Sequence, residues 1–165
     1  MALYILDMGG TLTQSRVGSF PPKAPQSPRD VVLKPGVFER LAGLRAAGHK
    51  LAIATNQSAV AEGAMTLKQA ESLVTSCIKK VDGVDAWRLS PYNPRAPKKL
   101  DGRPNPYARD DPSRKPHPGM ILDLMSELGY PPAETFVIGN RPEDRKAAHA
   151  AGAFYIPGKE FFREP

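Results

Sequence analysis

The sequence contains almost no cysteine and no long hydrophobic run. Cys77 is the only cysteine among 165 residues, which excludes an internal disulfide and a zinc site built from cysteines. No apolar run approaches the roughly 20 residues that a membrane-spanning helix requires. The N-terminus lacks the basic region and apolar core of a signal peptide, because Asp7 interrupts its short apolar segment. We therefore expect a cytoplasmic protein that binds neither a membrane nor zinc.

The composition is that of a soluble globular protein with excess positive charge. Hydrophobic residues make up 41% of the chain and charged residues 24%, as in ordinary globular domains. A chain of this length predicts one domain, residues 1–165. The formal net charge of +6 at pH 7 favours phosphorylated or polyanionic partners. Many basic proteins bind no nucleic acid, so charge alone does not identify the partner.

Short apolar runs alternate with helical patterns along the chain. Strands are predicted at 2–6, 51–54, 85–89, 135–138 and 153–156, and helices from near Pro35 to Gly48 and at 66–80, 118–129 and 142–151. Because parallel strands need crossover connections, this alternation predicts an α/β fold with helices on both faces of a parallel sheet. Ligands bind such sheets beyond the carboxyl ends of the strands. Cys77 lies on the apolar stripe of the second helix, which predicts a buried structural thiol.

Residues 91–118 differ from the rest of the chain. They hold eight prolines and seven lysines or arginines against three aspartates, with no apolar periodicity. One interpretation of this Pro-rich basic loop is a solvated surface loop. The other is a basic lid or substrate rim, because the segment runs directly into Arg114 and Lys115.

The segment from Leu6 to Leu12 places a carboxylate at the end of an apolar strand. Asp7 is followed by Gly9, Gly10 and Thr11, which leave a sterically open turn beside the acid. A carboxylate that attacks phosphorus forms an aspartyl-phosphate and divides one difficult displacement into two easier ones. The alternative is an aspartate that merely caps the strand-to-loop turn.

Two further polar segments contain groups that can hold a phosphoryl group. Residues 55–58, Thr-Asn-Gln-Ser, follow the second strand, where a hydroxyl and backbone N–H groups can bind phosphoryl oxygens. The same residues also make a good turn. Arg114 and Lys115 precede a helix, and a fixed cation there would neutralise charge on a nucleophile and a phosphoryl group. Alternatively, they are solvated loop cations.

These segments resemble the motifs of the haloacid dehalogenase (HAD) superfamily, whose first motif is Asp-x-Asp-Gly-Thr. Residues 55–63 are similar to the Thr-Asn-Gln-Ser-Gly-Ile-Ala-Arg-Gly segment of the branch that contains histidinol-phosphate and heptose-bisphosphate phosphatases. Residues 114–120 are similar to its Arg-Lys-Pro-x-Pro-Gly-Met signature, and residues 139–144 resemble the fourth motif, Gly-Asp-x-x-x-Asp. Polynucleotide 3′-phosphatases carry a similar Thr-Asn-Gln segment. The resemblance covers nearly the whole chain.

The resemblance implies a Rossmann-like three-layer sandwich without a cap domain, and a magnesium-dependent phosphate monoester hydrolase. Its substrate would be a phosphorylated small molecule or a 3′-phosphate nucleic-acid end. The implied roles are catalysis for Asp7, Thr55 and Lys115, substrate binding for Thr11, Asn56, Gln57 and Arg114, and Mg²⁺ binding for Asp7, the Gly9 carbonyl, Asn140 and Asp144.

The chain departs from the family pattern at two site positions. Gly9 stands where the family has the carboxylate that acts as general acid and base, and losing such a group typically costs about 10²–10⁴ in rate. Asn140 stands where an acid binds the ion, so metal affinity should fall. The branch's heptose phosphatases often carry a Cys/His zinc loop before the Arg-Lys signature, whereas this chain has the Pro-rich basic loop. We expect impaired or specialised activity, or a non-catalytic protein that binds a phosphorylated ligand or nucleic-acid end.

Overall fold

A five-stranded parallel sheet forms the centre of the computed structural model, which describes residues 1–14 and 27–163. Its strands are β1 (Leu3–Leu6), β2 (Lys50–Asn56), β3 (Ala86–Ser90), β6 (Thr135–Gly139) and β7 (Phe154–Pro157), while β4 (Lys99–Leu100) and β5 (Arg103–Pro104) form a separate antiparallel hairpin. The sheet order is β3-β2-β1-β6-β7, with Leu6 of the central strand opposite Ile53 and Ile138. The predicted α/β fold is confirmed.

Helices cover both faces of the sheet. They are α1 (Val37–Ala46), α2 (Leu67–Lys80), α3 (Gly119–Leu128), α4 (Pro142–Ala150) and the short α5 (Gly158–Phe161), with 3-10 turns at Pro28–Asp30 and Pro132–Glu134. Strand residues alternate between two cores, as the two-residue period of a strand requires: Leu6 and Ile53 pack with α1 and α2, whereas Ile5 and Ala52 pack with α3 and α4. The three-layer sandwich is therefore confirmed.

Local sequence signals set the element boundaries. Thr66 caps α2 by accepting a hydrogen bond from the Gln69 backbone N–H at 3.1 Å, while the Gln69 side chain accepts one from the Thr66 N–H at 2.8 Å. Cys77 is buried on the inner face of α2, and burial raises its thiol pKa to about 12, as expected for a structural thiol. In the ranges the structure describes, no helix is long and apolar enough to cross a membrane.

The Pro-rich basic loop packs on the chain instead of extending into solvent. Ala96 and Ala108 are buried against Ala61 in a small separate cluster. Asn105 ties the loop to this position by donating its side-chain N–H to the Ala61 carbonyl at 2.7 Å. Sequence periodicity missed the β4–β5 hairpin because its strands are only two residues long. The loop leads directly to Arg114, at the sheet edge where the strands end.

Helix α3 provides a test of the core. Leu124→Ala removes a fully buried side chain and should lower the free energy of unfolding by about 2–5 kcal/mol. Leu122→Ala, two residues away on the same helix, changes a side chain that is 46% exposed and should change stability by less than about 0.5 kcal/mol. Urea denaturation of both variants measures the difference. Equal losses would contradict the assigned faces of α3.

Candidate active site

Three buried charged groups meet at the carboxyl edge of the sheet. Asp7 directly follows β1, Lys115 precedes α3, and Asp144 lies in the first turn of α4. The Lys115 ammonium donates to Asp7 Oδ1 at 2.8 Å, to Asp144 Oδ1 at 2.6 Å and to the Ala54 carbonyl at 2.8 Å. All three of its N–H donors are thus used. A buried charge is costly unless it is paired, so these contacts hold the three groups together.

One ammonium shared by two carboxylates determines the electrostatics of the site. Burial raises the pKa of Asp7 above its ordinary value, and the negative charge of Asp144 adds to this effect while Lys115 opposes it. Burial alone would lower the pKa of Lys115, but attraction to Asp7 and Asp144 outweighs burial and raises that pKa. Lys115 therefore stays charged. Because it also pairs with Asp144, it compensates the negative charge of Asp7 only in part.

Asp144 approaches the lysine closely because of the glycine at the end of β6. A Cβ atom on Gly139 would lie only 2.3 Å from Asp144 Oδ2, so no larger residue fits there without moving the acid. The same Oδ2 accepts a hydrogen bond from the Arg141 backbone N–H at 3.1 Å. Gly139 and the first turn of α4 together fix the direction of this carboxylate.

Asn56 and Thr11 position the charged groups. The Asn56 amide accepts a hydrogen bond from the Lys115 backbone N–H at 3.0 Å and donates one to the Lys115 carbonyl at 2.9 Å. Thr11 donates its hydroxyl to Asp7 Oδ2 at 3.3 Å. Thr11 does not line the cavity beside Asp7. Its hydroxyl orients the Asp7 carboxylate, and its contact with substrate stays a prediction.

The cavity beside Asp7 brings most of the predicted site residues together. Its volume is about 130 Å³, and the polar residues that line it are Asp7, Thr55, Asn56, Gln57, Ser58, Arg114, Lys115, Arg141, Glu143 and Asp144, together with Gly9. Sequence reasoning did not select Arg141 or Glu143, although both lie in the fourth motif. Their inclusion depends on how the chain turns after β6, which a spacing pattern does not specify.

Thr55, Gln57 and Arg114 supply donors on the side of the cavity opposite α4. The Gln57 amide donates to the Thr55 hydroxyl oxygen at 3.1 Å, so the hydroxyl proton remains available for an anion. The Arg114 guanidinium is anchored by Ser58 Oγ at 2.8 Å and by the Tyr92 carbonyl at 2.7 Å. These two contacts use only part of the guanidinium, so further N–H groups of Arg114 remain for a ligand.

Gly9 and Asn140 occupy very different surroundings. Gly9 lines the cavity, its φ lies outside the left-handed region, and a Cβ added there would meet nothing within 4 Å. A carboxylate would therefore fit at this position. Asn140 does not line the cavity: its amide donates to the Gly10 carbonyl at 2.7 Å and accepts from the Lys159 backbone N–H at 3.2 Å. The side chain of Asn140, a predicted metal ligand, thus makes these two hydrogen bonds at the edge of the Asp7 turn.

The oxygen donors beside the cavity match magnesium in kind. Magnesium usually binds through one or two carboxylates, with water and phosphate oxygens completing an octahedron. Asp7 and Asp144 supply two carboxylates, and Gly9, whose carbonyl is a predicted ligand, lines the same cavity. Within residues 1–14 and 27–163, no three acidic, histidine or cysteine side chains cluster as a metal site. The chain therefore fits magnesium with a small donor set.

Comparison with known families assigns the chain. The model of the haloacid dehalogenase-like hydrolases matches residues 26–152, which is most of the sequence. The chain belongs to this family. The match includes the second, third and fourth motifs and the Pro-rich basic loop between them. The first motif and its Gly9 lie before the matched range.

The HAD-like relatives include enzymes named for a sugar bisphosphate. The D-glycero-beta-D-manno-heptose-1,7-bisphosphate 7-phosphatase of Rhodopseudomonas palustris is 34% identical over 131 residues, which cover 77% of this chain and 68% of that protein. The Escherichia coli protein of the same name is 31% identical over 120 residues, covering 70% of this chain and 60% of the relative. The chain thus spans about three fifths to two thirds of the length of these relatives.

A solved HAD structure shares the fold. The D,D-heptose 1,7-bisphosphate phosphatase of Bordetella (B. bronchiseptica), crystallised with magnesium and phosphate, superposes with a TM-score of 0.73 at 26% identity. The superposition covers 94% of this chain and 79% of that one. This likeness supports the three-layer fold.

The shared ammonium predicts a charge-specific effect on stability. Lys115→Met leaves two buried carboxylates without their cation and should lower the free energy of unfolding by about 3–5 kcal/mol. Adding Asp7→Asn and Asp144→Asn should recover most of this loss, because the three groups are then neutral. Denaturant unfolding at pH 7 measures both variants. If the triple variant is no more stable than the single one, lost packing and not unpaired charge explains the effect.

Proposed function

We propose that this HAD-like chain hydrolyses phosphate monoesters, with Asp7 as the nucleophile. The observation that carries the proposal is the Asp7 carboxylate itself. It is fixed by Lys115 at 2.8 Å and Thr11 at 3.3 Å, and it borders a cavity whose opposite side is lined with hydrogen-bond donors. A fixed nucleophile with preorganised donors is the arrangement that phosphoryl transfer requires, because the chemistry depends chiefly on positioning and charge.

Thr55 and Arg114 would donate hydrogen bonds to the transferring phosphoryl group, and the positive charge of Lys115 would stabilise it. Its equatorial oxygens carry the negative charge of the transition state, and fixed cations and hydroxyls stabilise that charge more strongly in a closed site than in water. Lys115 also stabilises the ionised form of Asp7. Substrate binding brings a further negative group toward this cation and toward Arg114.

The reaction would proceed in two displacements at phosphorus. An Asp7 oxygen forms a bond to phosphorus while the bond to the ester oxygen breaks, and the departing alkoxide takes a proton from water. Water then attacks the aspartyl-phosphate, which releases inorganic phosphate and restores the Asp7 carboxylate. Gly9 supplies no proton to the leaving group, so substrates with good leaving groups should react best.

Asp7, Asp144 and the Gly9 carbonyl would hold Mg²⁺. The ion would neutralise charge on the phosphoryl oxygens. The related phosphatase crystallised with magnesium and phosphate supports this assignment by analogy. Asn140 is not part of the proposed set, because its amide is bonded to Gly10 and to the Lys159 backbone.

A phosphorylated sugar is the substrate class that the relatives favour. The enzymes reported above are named for a heptose bisphosphate, and the comparisons give no support to a nucleic-acid end. The missing carboxylate at Gly9 favours a second candidate, a protein that binds a phosphorylated sugar without turning it over. The two candidates share the cavity and differ only in the rate of chemistry.

Restoring the missing acid distinguishes catalysis from binding. Gly9→Asp should raise kcat for an alkyl phosphate by about 10²–10⁴, because general acid–base catalysis contributes that much and the position has room for the side chain. Phosphate release in the presence of Mg²⁺ is the measurement. Asp7→Asn in the Gly9→Asp background is the matched control and should remove this activity.

Each outcome of this experiment has a definite meaning. Activity that survives Asp7→Asn would contradict the nucleophile assignment. If Gly9→Asp hydrolyses neither phosphorylated sugars nor aryl phosphates but still binds inorganic phosphate, the result would favour the binding protein over the enzyme. An aryl phosphate should gain less from Gly9→Asp than an alkyl phosphate, because its leaving group needs less protonation.

The raised pKa of Asp7 predicts the acidic limb of the pH profile. A nucleophilic carboxylate must be ionised, so kcat/KM should fall as pH is lowered through the Asp7 pKa, at a pH above the ordinary 3.8. Asp144→Asn removes one charge that raises this pKa and should shift the limb to lower pH. Asp123→Asn, on the exposed side of α3, should leave the limb in place. If the acidic limb stays at the same pH in Asp144→Asn, the result would contradict the electrostatic coupling between Asp7 and Asp144.

A further inference from the structure

A cationic concavity lies beside the active-site cavity, at the ends of β6 and β7. Its volume is about 790 Å³, and its charged lining consists of Lys34, Arg141, Arg145, Lys146, Lys159 and the titratable His149. No aspartate or glutamate lines it. A concave surface with charge of one sign concentrates the electric field and attracts counter-ions of the opposite sign.

The cations of this concavity have no carboxylate partners in the described part of the chain. Seven ion pairs occur among those residues, and Arg145, Lys146 and Lys159 take part in none of them. Lys34 instead donates its ammonium to the Gly10 carbonyl. Within the described chain, therefore, no close ion pair neutralises a cation of this cluster.

Helix α4 adds to this charge through its geometry. Arg141, Arg145 and His149 are four residues apart, so they lie on one face of the helix. Like charges four residues apart destabilise a helix, and positive charge near its N-terminus opposes the helix dipole. A bound anion would relieve both effects. The arrangement costs folding stability and favours negative ligands.

The concavity and the active-site cavity share one residue. Arg141 lines both, and its backbone N–H donates to Asp144 Oδ2 at 3.1 Å. Both lie at the carboxyl edge of the sheet, where ligands bind in folds of this class. An anion in the concavity would thus be a neighbour of a phosphoryl group on Asp7.

From these observations we propose that the concavity is a second anion site, which binds the phosphate groups of a small ligand. A phosphate dianion accepts several charge-assisted hydrogen bonds, and arginine and lysine are its usual donors. Binding here requires neither Asp7 nor hydrolysis. The ligand is either a free phosphate or the second phosphate of a molecule that also reaches the active-site cavity.

A pair of neutral variants tests this site. Arg145→Gln with Lys146→Gln removes two cations from the concavity, and Lys79→Gln with Lys80→Gln removes two exposed cations from the end of α2. Both double variants lower the net charge equally. The probes are inorganic phosphate and the non-hydrolysable methylenebisphosphonate, titrated calorimetrically in EDTA so that no metal contributes.

The first double variant should weaken bisphosphonate binding about tenfold, as expected for two exposed charge contacts, while the α2 variant should bind like the parent. Amide NMR shifts of Arg141 and of residues 143–149 should move on titration of the parent. A loss confined to bisphosphonate shows that the site needs a ligand with two phosphate groups, and an equal loss for phosphate shows that a single phosphate is sufficient. Equal affinities of the two double variants would overturn the proposal, whether or not the chain hydrolyses phosphate esters.

Discussion

The ammonium of Lys115, shared between Asp7 and Asp144, is the interaction on which the site depends. It joins three segments that are far apart in sequence: the end of β1, the start of α3 and the first turn of α4. Because two buried carboxylates compete for one cation, the lysine remains charged and Asp7 is never fully neutralised. The same contact therefore holds the fold together at its carboxyl edge and keeps a reactive carboxylate beside the cavity.

Sequence patterns predicted the layers and most of the site, but not the directions of several side chains. Periodicity located the five strands of the sheet and four helices, because a buried face requires apolar residues at every helical turn or at alternate strand positions. The hairpin at 99–104 shows no such apolar pattern. Spacing alone also did not give the strand order, which depends on how the crossovers pack. Thr11 and Asn56 are predicted to contact substrate, and the sequence did not reveal that their hydrogen bonds also orient Asp7 and the Lys115 backbone.

Asn140 shows how the side-chain chemistry at a motif position determines its contacts. The residue lies immediately after β6, where the family has an acid, and its backbone position follows the family pattern. A carboxylate has only acceptors, so it would repel the Gly10 carbonyl and favour a cation. The amide has both donors and an acceptor, and it donates to the Gly10 carbonyl while accepting from the Lys159 backbone N–H. The change from an acid to an amide thus allows a side-chain contact with the turn at Gly10.

The two departures from the motif pattern act on the same turn. Gly9 removes a carboxylate from the cavity, and Asn140, together with the Lys34 ammonium, places donors on the adjacent Gly10 carbonyl. The loop that carries Asp7 is therefore held from outside the cavity by two side chains. Acids at positions 9 and 140 would repel each other and would need a bound ion to keep the loop ordered. The donors present here hold the loop with less dependence on an ion. The Asp7 carboxylate thus keeps its position beside the cavity although the neighbouring acid of the motif is replaced by Gly9.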